Sequence, residues 1–150
     1  MEYTEQYGYP YVNLSYTFTN DYQLVRSSVY DPHSIKGKYT VTHVSKLVTW
    51  QDYVSEDHVI GIRKALEEKG FAAFFETSHE YNIENKDECN SDYTPIVVVP
   101  ITPIRKLCIL NGNHRAVALR SLGALWLPVY RITNRSVIER AKKAWKEMNL

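Results

Sequence analysis

The segment 106–123, KLCILNGNHRAVALRSLG, decides the fold because it reads as a strand, a polar turn and a helix in immediate succession. The apolar run LCIL is typical of a strand, and the following helix is predicted over 114–122 with Gly123 at its end. A helix that begins just after Gly112 leaves its first backbone N–H groups without intrahelical acceptors, and the helix dipole adds partial positive charge there. This arrangement is typical of sites that bind phosphate.

The side chains of this turn also suit an anion. Asn113 is a good residue type for an N-cap, and Gly112 can take a positive φ or let a ligand approach the backbone. Arg115 carries a planar guanidinium that matches phosphate oxygens, and His114 can donate, accept or carry charge near neutral pH. The alternative is purely structural, since Asn-Gly is common in tight turns. A cation in the first helical turn, where the dipole disfavours positive charge, favours the anion site.

Several segments of the chain resemble the ParB/sulfiredoxin superfamily, whose members carry the progression PI.V, DGxHR..A....G and IPV. The likeness covers about residues 39–132 and extends upstream of the phosphate turn. The matching segments are VTHVSKLV at 41–48, the helix at 60–70, PIVVV at 95–99, ILNGNHRAVALRSLG at 109–123 and LPVYRI at 127–132.

This resemblance implies one domain of the α/β class, with an α+β mixed sheet and a strand–loop–helix phosphate site. Superfamily members include partition proteins that bind and hydrolyse CTP, sulfiredoxins that use ATP to repair an oxidised cysteine, and free-serine kinases. All place nucleotide phosphates on the loop that matches residues 111–115, so a nucleoside triphosphate, ATP or CTP, is expected together with Mg²⁺. The residues implied to bind its phosphates are Asn111, Gly112, Asn113, His114 and Arg115.

Departures from the family pattern narrow this expectation. Sulfiredoxins have a reactive cysteine just before the His-Arg pair, where this chain has Asn113, so sulfur repair is not expected. Free-serine kinases carry an aspartate at the position of Asn111, although an amide still forms hydrogen bonds. Partition proteins continue into a helix-turn-helix region, for which a chain that stops at Leu150 has no room. The architecture is therefore nearest to the stand-alone members that use nucleotides, such as the free-serine kinases.

Phosphoryl transfer also needs a metal, usually held by carboxylates, and a group that orients the nucleophile. The segment 49–56, TWQDYVSE, lies where kinases of this superfamily keep an acidic base. Asp52 and Glu56 are therefore the acidic candidates for catalysis, beside His114. Each acid also has a structural explanation, because Glu56 complements a helix N-terminus and Asp52 can cap a turn. The remaining histidines, at 33, 43, 58 and 79, lack the spacing of a zinc site.

Length and composition predict a single domain over residues 1–150. The chain is 44% hydrophobic and carries a net charge of +1, which gives no general attraction to nucleic acid or membrane. Two cysteines make no disulfide framework: Cys108 is expected in the core and Cys89 at the surface. No run approaches 18 apolar residues, and no signal peptide is recognisable, so a cytoplasmic location is expected.

Periodicity predicts the remaining elements. Residues 1–38 form an unmatched, strand-rich N-terminal extension, whose tyrosines suit strand packing better than base stacking, and the polar stretch 76–94 reads as a loop or lid. The last helix has a basic face that we interpret as solvated. The predicted elements are strands at 12–18, 39–44, 95–101, 106–110 and 127–132, a helix capped by Ser55 that buries Val59, Ile62 and Leu66 and ends at Gly70, and a helix opened by a capping box at 136–139.

The leading functional hypothesis is a nucleotide-dependent phosphotransferase that acts on a small molecule, or a nucleotide hydrolase. The alternative is a DNA-associated module of the ParB type, either DNA-binding or nucleolytic, without kinase activity. An enzyme needs an acidic residue that faces the phosphate loop. A DNA module needs a continuous basic surface and an affinity that depends steeply on salt.

Overall fold

The strand that leads into the turn at Gly112 lies at the centre of a mixed sheet. A computed structural model describes residues 4–6, 8–12, 14, 35–50, 54–69 and 96–148. In these residues the sheet has the order β1-β2-β4-β6-β5-β7-β3. Its strands are β1 (Thr4–Gln6), β2 (Tyr9–Tyr11), β3 (Gly37–His43), β4 (Leu47–Thr49), β5 (Ile96–Ile101), β6 (Lys106–Asn111) and β7 (Trp126–Ile132). The helices are α1 (Glu56–Lys69), α2 (Asn113–Ser121) and α3 (Arg135–Met148), with short 3-10 turns at Val44–Lys46 and Thr102–Ile104.

Three neighbouring strands of this sheet run parallel. Tyr11 of β2 lies opposite Thr49 of β4, and Thr49 lies opposite Ile109 of β6, so the carboxyl ends of β2, β4 and β6 meet at one edge. On the other side of β6, β5 is antiparallel to it, β7 is parallel to β5, and β3 is antiparallel to β7. The expected mixed α/β architecture is therefore confirmed.

Helices cover both faces of the sheet and create two apolar layers. Ile96 and Val98 of β5 pack in the layer beneath α1 and α2, whereas Val97 and Val99 pack in the layer beneath α3. Side chains alternate between the two faces of a strand, so a strand buried on both faces needs apolar residues at every position. This explains the continuous run IVVV, in which all four side chains are fully buried.

Most of the predicted elements are confirmed. Strands β3, β5, β6 and β7, the hairpin of β5 with β6 and helices α1 and α2 lie within one or two residues of their expected bounds. The helix stripe Val59, Ile62 and Leu66 is buried, and Ser55 Oγ accepts a hydrogen bond from the His58 N–H at 3.4 Å, as expected of a cap. The predicted helix end at Gly70, the apolar run 71–75 and the loop 76–94 lie outside the described residues.

The strand predicted over 12–18 is wrong in its described part. The strand is β2 at Tyr9–Tyr11, and neither Val12 nor Leu14 belongs to a strand, although both are fully buried. The Val12 N–H still donates to the Thr49 carbonyl at 2.7 Å. The alternation of apolar residues thus predicted burial correctly but placed the start of the strand three residues too late. Residues 15–18 lie outside the described part of the chain.

The capping box predicted at 136–139 is also wrong, because the cap of α3 lies two residues before Ser136. Asn134 is the cap: its side-chain Oδ1 accepts from the Val137 N–H at 3.2 Å and from the Ser136 hydroxyl at 2.9 Å. Its carbonyl accepts the first helical hydrogen bond, from the Ile138 N–H at 3.1 Å. Asn is as good a cap as Ser, and the hydroxyl of Ser136 supports the Asn134 side chain instead.

Helix α3 buries a narrow stripe and exposes its charges. Val137, Ala141 and Ala144 are buried, with Ile138 and Trp145 packed at the margin of the same layer. The cations project from the other side of the helix, as a solvated face predicts. Helices α1 and α3 have 14 residues each, and within the described part of the chain no helix combines the length and apolar character required to span a membrane.

The turn between β5 and β6 contains a strained residue. Arg105 has φ 54° and ψ 41°, the left-handed conformation. Among the residues that the structure describes, it is the only non-glycine residue with positive φ. Its N–H donates to the Thr102 carbonyl at 3.2 Å, which closes the 3-10 turn. An L-residue in this conformation costs roughly 1–2 kcal/mol, a cost that glycine avoids.

Strand β2 is fastened to the sheet and to helix α2. The Tyr9 hydroxyl donates to the Ala116 carbonyl at 2.9 Å, and burial raises the pKa of this hydroxyl. Arg120 lies over the Tyr9 ring, 4.9 Å from its centroid, and its Nη1 donates to the Gly8 carbonyl. For Tyr9, the expectation that N-terminal tyrosines serve packing is confirmed.

The cysteine in the central strand is a core residue, as expected. Cys108 is fully buried and free, and burial raises the pKa of its thiol. A buried thiol with a raised pKa is a poor nucleophile, which agrees with a packing role for Cys108. Cys89 lies outside the described residues.

We predict that Asn134→Ala lowers the free energy of unfolding by about 1 kcal/mol, because the first turn of α3 loses its side-chain acceptor. Ser136→Ala is the matched control and should cost less, since Ser136 only supports the cap. Urea denaturation followed by circular dichroism measures both. An equal or larger loss in Ser136→Ala would favour the capping box at 136–139.

Candidate anion-binding site

The turn at Gly112 lies at the edge of the sheet where β2, β4 and β6 end. Asn111 is the last residue of β6, and α2 begins at Asn113. Between them Gly112 takes φ 90° and ψ 24°, a left-handed conformation that glycine adopts without steric cost. This single residue redirects the chain from the buried strand into the helix. The predicted strand–turn–helix geometry is present.

The expected capping role of Asn113 is wrong, because Gly112 occupies the N-cap position and Asn113 is the first helical residue. Asn113 is 5% exposed, and its Oδ1 accepts a hydrogen bond from the Thr49 hydroxyl at 2.5 Å. This contact joins the carboxyl ends of β4 and β6 over 64 residues of sequence. The amide is therefore used to hold two strand ends together rather than to cap the helix.

The absence of a capping side chain matters for the start of α2. Gly112 makes no side-chain hydrogen bond to the helix, and its carbonyl accepts the first helical bond from the Ala116 N–H at 2.9 Å. The N–H groups of residues 113–115 precede this bond, so they have no acceptor within the helix. They point out of the positive end of the helix dipole. An anion placed there gains both the hydrogen bonds and the field.

His114 connects this helix start to that of α1. Its Nε2 accepts a hydrogen bond from the Ser55 N–H at 2.9 Å, and its ring lies against the His58 ring with centroids 4.4 Å apart and planes tilted by 34°. Ser55 caps α1, so the positive ends of α1 and α2 are held side by side. Sequence reasoning missed this junction, because nothing in two segments 59 residues apart indicates that they meet.

The same hydrogen bond fixes the protonation of the His114 ring. A nitrogen that accepts from a backbone N–H carries no proton, so the proton of the neutral ring lies on Nδ1. Nε2 is engaged in this conformation, and any proton transfer by His114 would use Nδ1. The structure therefore shows a positioning role for His114, while its predicted catalytic role stays a prediction.

Two further donors lie under the turn. Arg115 is 0% exposed, so its guanidinium is held inside the protein rather than in solvent. The Asn111 Nδ2 is buried and has no hydrogen-bond partner among the described residues. The turn thus combines backbone N–H groups, an amide N–H₂ and a buried positive charge. Backbone N–H groups, amides and guanidinium groups are the kinds of donor that bind phosphate oxygens.

The acidic candidates are placed only in part. Glu56 is exposed at the start of α1, directly after Ser55, whose N–H contacts His114, and Asp57 is exposed beside it. Asp52 lies outside the described residues. Among the residues that are described, no group of three or more His, Cys, Asp or Glu side chains has the arrangement of a metal site.

No protein-family model, no curated protein and no solved structure matches the chain.

We predict that Thr49→Val destabilises the protein by about 1–2 kcal/mol, because it keeps the side-chain shape but removes the donor to the buried Asn113 Oδ1. Thr40→Val in β3, at a partly exposed position, is the control and should change stability little. Chemical denaturation measures both. Equal effects in the two variants would show that the Thr49–Asn113 contact adds nothing.

Proposed function

We propose that this chain binds the phosphates of a nucleoside triphosphate at residues 111–115. The observation that supports this most strongly is the junction of two helix starts, where the Ser55 N–H donates to His114 at 2.9 Å. Two helix N-termini side by side raise the positive potential at one point, and the backbone N–H groups at the start of α2 are donors of the kind that phosphate-binding sites use. A group with several negative oxygens satisfies more of these donors than a single carboxylate does.

The position of the turn supports a nucleotide rather than an isolated phosphate. Open α/β sheets bind ligands outside the carboxyl ends of their parallel strands, and β2, β4 and β6 end beside this turn. The order β5, β6, α2 and β7 also agrees with the order of the segments that resemble the ParB/sulfiredoxin superfamily. We therefore propose membership of this superfamily, with ATP or CTP as the ligand.

The activity that we propose is phosphotransfer to a small molecule, or hydrolysis of the nucleotide. The loop N–H groups and Asn111 would bind the phosphate oxygens, while the buried charge of Arg115 stabilises them from beneath. An acceptor hydroxyl, or water, attacks the terminal phosphorus, the bond to the bridging oxygen breaks, and the attacking oxygen passes its proton to a base. Glu56 is the described candidate for that base because it starts the helix that contacts His114, and Asp52 is the other candidate.

The alternative, a DNA-associated module, receives less support from the described surface. The cations of α3 are interrupted by carboxylates: Lys142, Lys143 and Lys146 share one hollow with Glu139 and Glu147. A DNA-binding face normally presents an uninterrupted basic surface to the phosphates. The helix therefore resembles a solvated face with mixed charge.

We propose a cytoplasmic location for the protein. The support comes from the free thiol of Cys108, which is fully buried in the central strand. Cytosolic proteins keep their thiols reduced.

Nucleotide binding predicts a thermal shift. A ligand at 100 times its dissociation constant stabilises the fold by roughly 2.7 kcal/mol, which raises the melting temperature of a chain of this length by about 5–10 °C. We expect ATP or CTP to give this shift, and GTP and ADP extend the screen, each with and without MgCl₂. No shift with any nucleotide would contradict the proposal.

A pair of glycine variants separates binding from folding. Gly112→Ala and Gly123→Ala place the same methyl group at φ 90°, at opposite ends of α2, and an added Cβ at Gly123 meets nothing within 4 Å. Both should lose similar stability. Only Gly112→Ala should lose the nucleotide-induced shift, so equal shifts in both variants would place the nucleotide elsewhere.

If Glu56 is the base, Glu56→Gln should slow nucleotide turnover by about 100-fold or more while leaving the thermal shift unchanged. Asp57→Asn, which neutralises the neighbouring acid of the same helical turn, is the matched control and should keep its activity. Release of phosphate or nucleoside diphosphate measures turnover. Full activity in Glu56→Gln would assign the base to Asp52, which Asp52→Asn then tests.

A further inference from the structure

A second basic site lies at the opposite end of the central strand. A hollow of about 520 Å³ opens beside the turn that joins β5 to β6, and four of its described lining residues are cations. They are Lys46, Arg105, Lys106 and Arg131. No acidic residue lines this hollow among the described residues, so its positive charge is not compensated by the wall. This separates it from the hollow on α3, where two glutamates accompany the lysines.

The fold brings these four cations together from three separate parts of the chain. Lys46 ends the 3-10 turn before β4, Arg105 and Lys106 form the β5–β6 turn, and Arg131 lies on β7. The ammonium of Lys106 donates to the Ser45 carbonyl at 2.8 Å, which holds this charge at the rim. Like charges repel, and Arg131 also faces Lys38 directly across the β3–β7 pair. An anion in the hollow would relieve this repulsion.

The backbone of Arg105 supports the same interpretation. A left-handed residue in a tight turn is normally glycine, but here an arginine holds φ 54° and remains exposed at the mouth of the hollow. Strained residues persist where the surrounding structure fixes them, and they are frequent at binding sites. Backbone strain by itself does not indicate a binding site. Together with three further cations around one concave surface, it indicates that a side chain with a guanidinium is useful at this position.

The uncharged part of the wall narrows the chemistry of the ligand. Pro100 and Leu107 contribute apolar surface, while Thr42 and Thr102 contribute hydroxyls. A bare inorganic ion would use the cations and hydroxyls only. An organic molecule of moderate size uses both parts of the wall, and the volume is in the usual range for small-molecule sites, roughly 300–1,000 Å³.

We propose that this hollow binds an organic phosphate, with the phosphate against the cations and the organic part against Pro100 and Leu107. The site is distinct from the turn at Gly112. Lys106 begins β6 and Asn111 ends it, and five residues of strand separate the two positions by about 16 Å. The inference therefore does not depend on the proposed nucleotide site.

The test uses phenyl phosphate, inorganic phosphate and phenol as probes, titrated into ¹⁵N-labelled protein at physiological salt. Phenyl phosphate should give saturable shifts of the backbone amides of Thr42, Thr102 and Leu107, whether or not those of residues 112–115 also shift. Inorganic phosphate should bind more weakly, and phenol not at all. Shifts confined to residues 112–115, or no saturable shift with phenyl phosphate, would overturn the proposal.

Matched variants test the contribution of the cations. Arg105→Gly removes a guanidinium and suits the left-handed backbone, and with Arg131→Gln it should weaken phenyl phosphate binding by about tenfold or more. Lys143→Gln, the removal of one charge on α3, should leave the affinity unchanged. If the double variant does not fold, Lys46→Gln at an exposed position replaces it, with a smaller loss expected. Unchanged affinity in the folded variant would show that the cations do not form a site.

Discussion

The hydrogen bond from the Ser55 N–H to His114 Nε2 is the contact on which the candidate nucleotide site depends. It holds the start of α1 against the start of α2, although both ends carry partial positive charge and repel each other. The imidazole is well suited to this task, since a neutral ring accepts the hydrogen bond without adding charge. Two helix N-termini with the same partial charge therefore lie side by side, and a bound anion would reduce the repulsion between them.

The central strand connects the two basic regions while keeping them apart. Leu107, Cys108, Ile109 and Leu110 are all buried between the two apolar layers, so no polar side chain of β6 links one end to the other. At one end the donors are mainly backbone N–H groups, fixed by the helix. At the other end of β6 the donors are long, charged side chains that come from three parts of the chain. The first region is rigid by construction, and the second can adapt its cations to the ligand.

Sequence reasoning predicted the elements around Gly112 because their local signals agree. The run 96–99 is apolar at every position and is buried on both faces, and the helix stripe of α1 follows its period. It misjudged details decided by competition between neighbours: Asn113 is drawn to Thr49, Gly112 takes the cap position, and Asn134 caps α3 before Ser136 can. It could not find the Ser55–His114 contact or the four-cation hollow, because both depend on tertiary packing of distant segments.

The contact between β2 and α2 has a consequence for how the chain folds during synthesis. Tyr9 donates to Ala116, which follows 107 residues later, so β2 forms this contact only after α2 has been synthesised. At a synthesis rate of about 5–20 residues per second, the delay is roughly 5–20 s. During that interval an apolar N-terminal segment, which includes Val12 and Leu14, lacks the layer that buries it. The nascent protein is therefore expected to be most vulnerable to aggregation before its final third has left the ribosome.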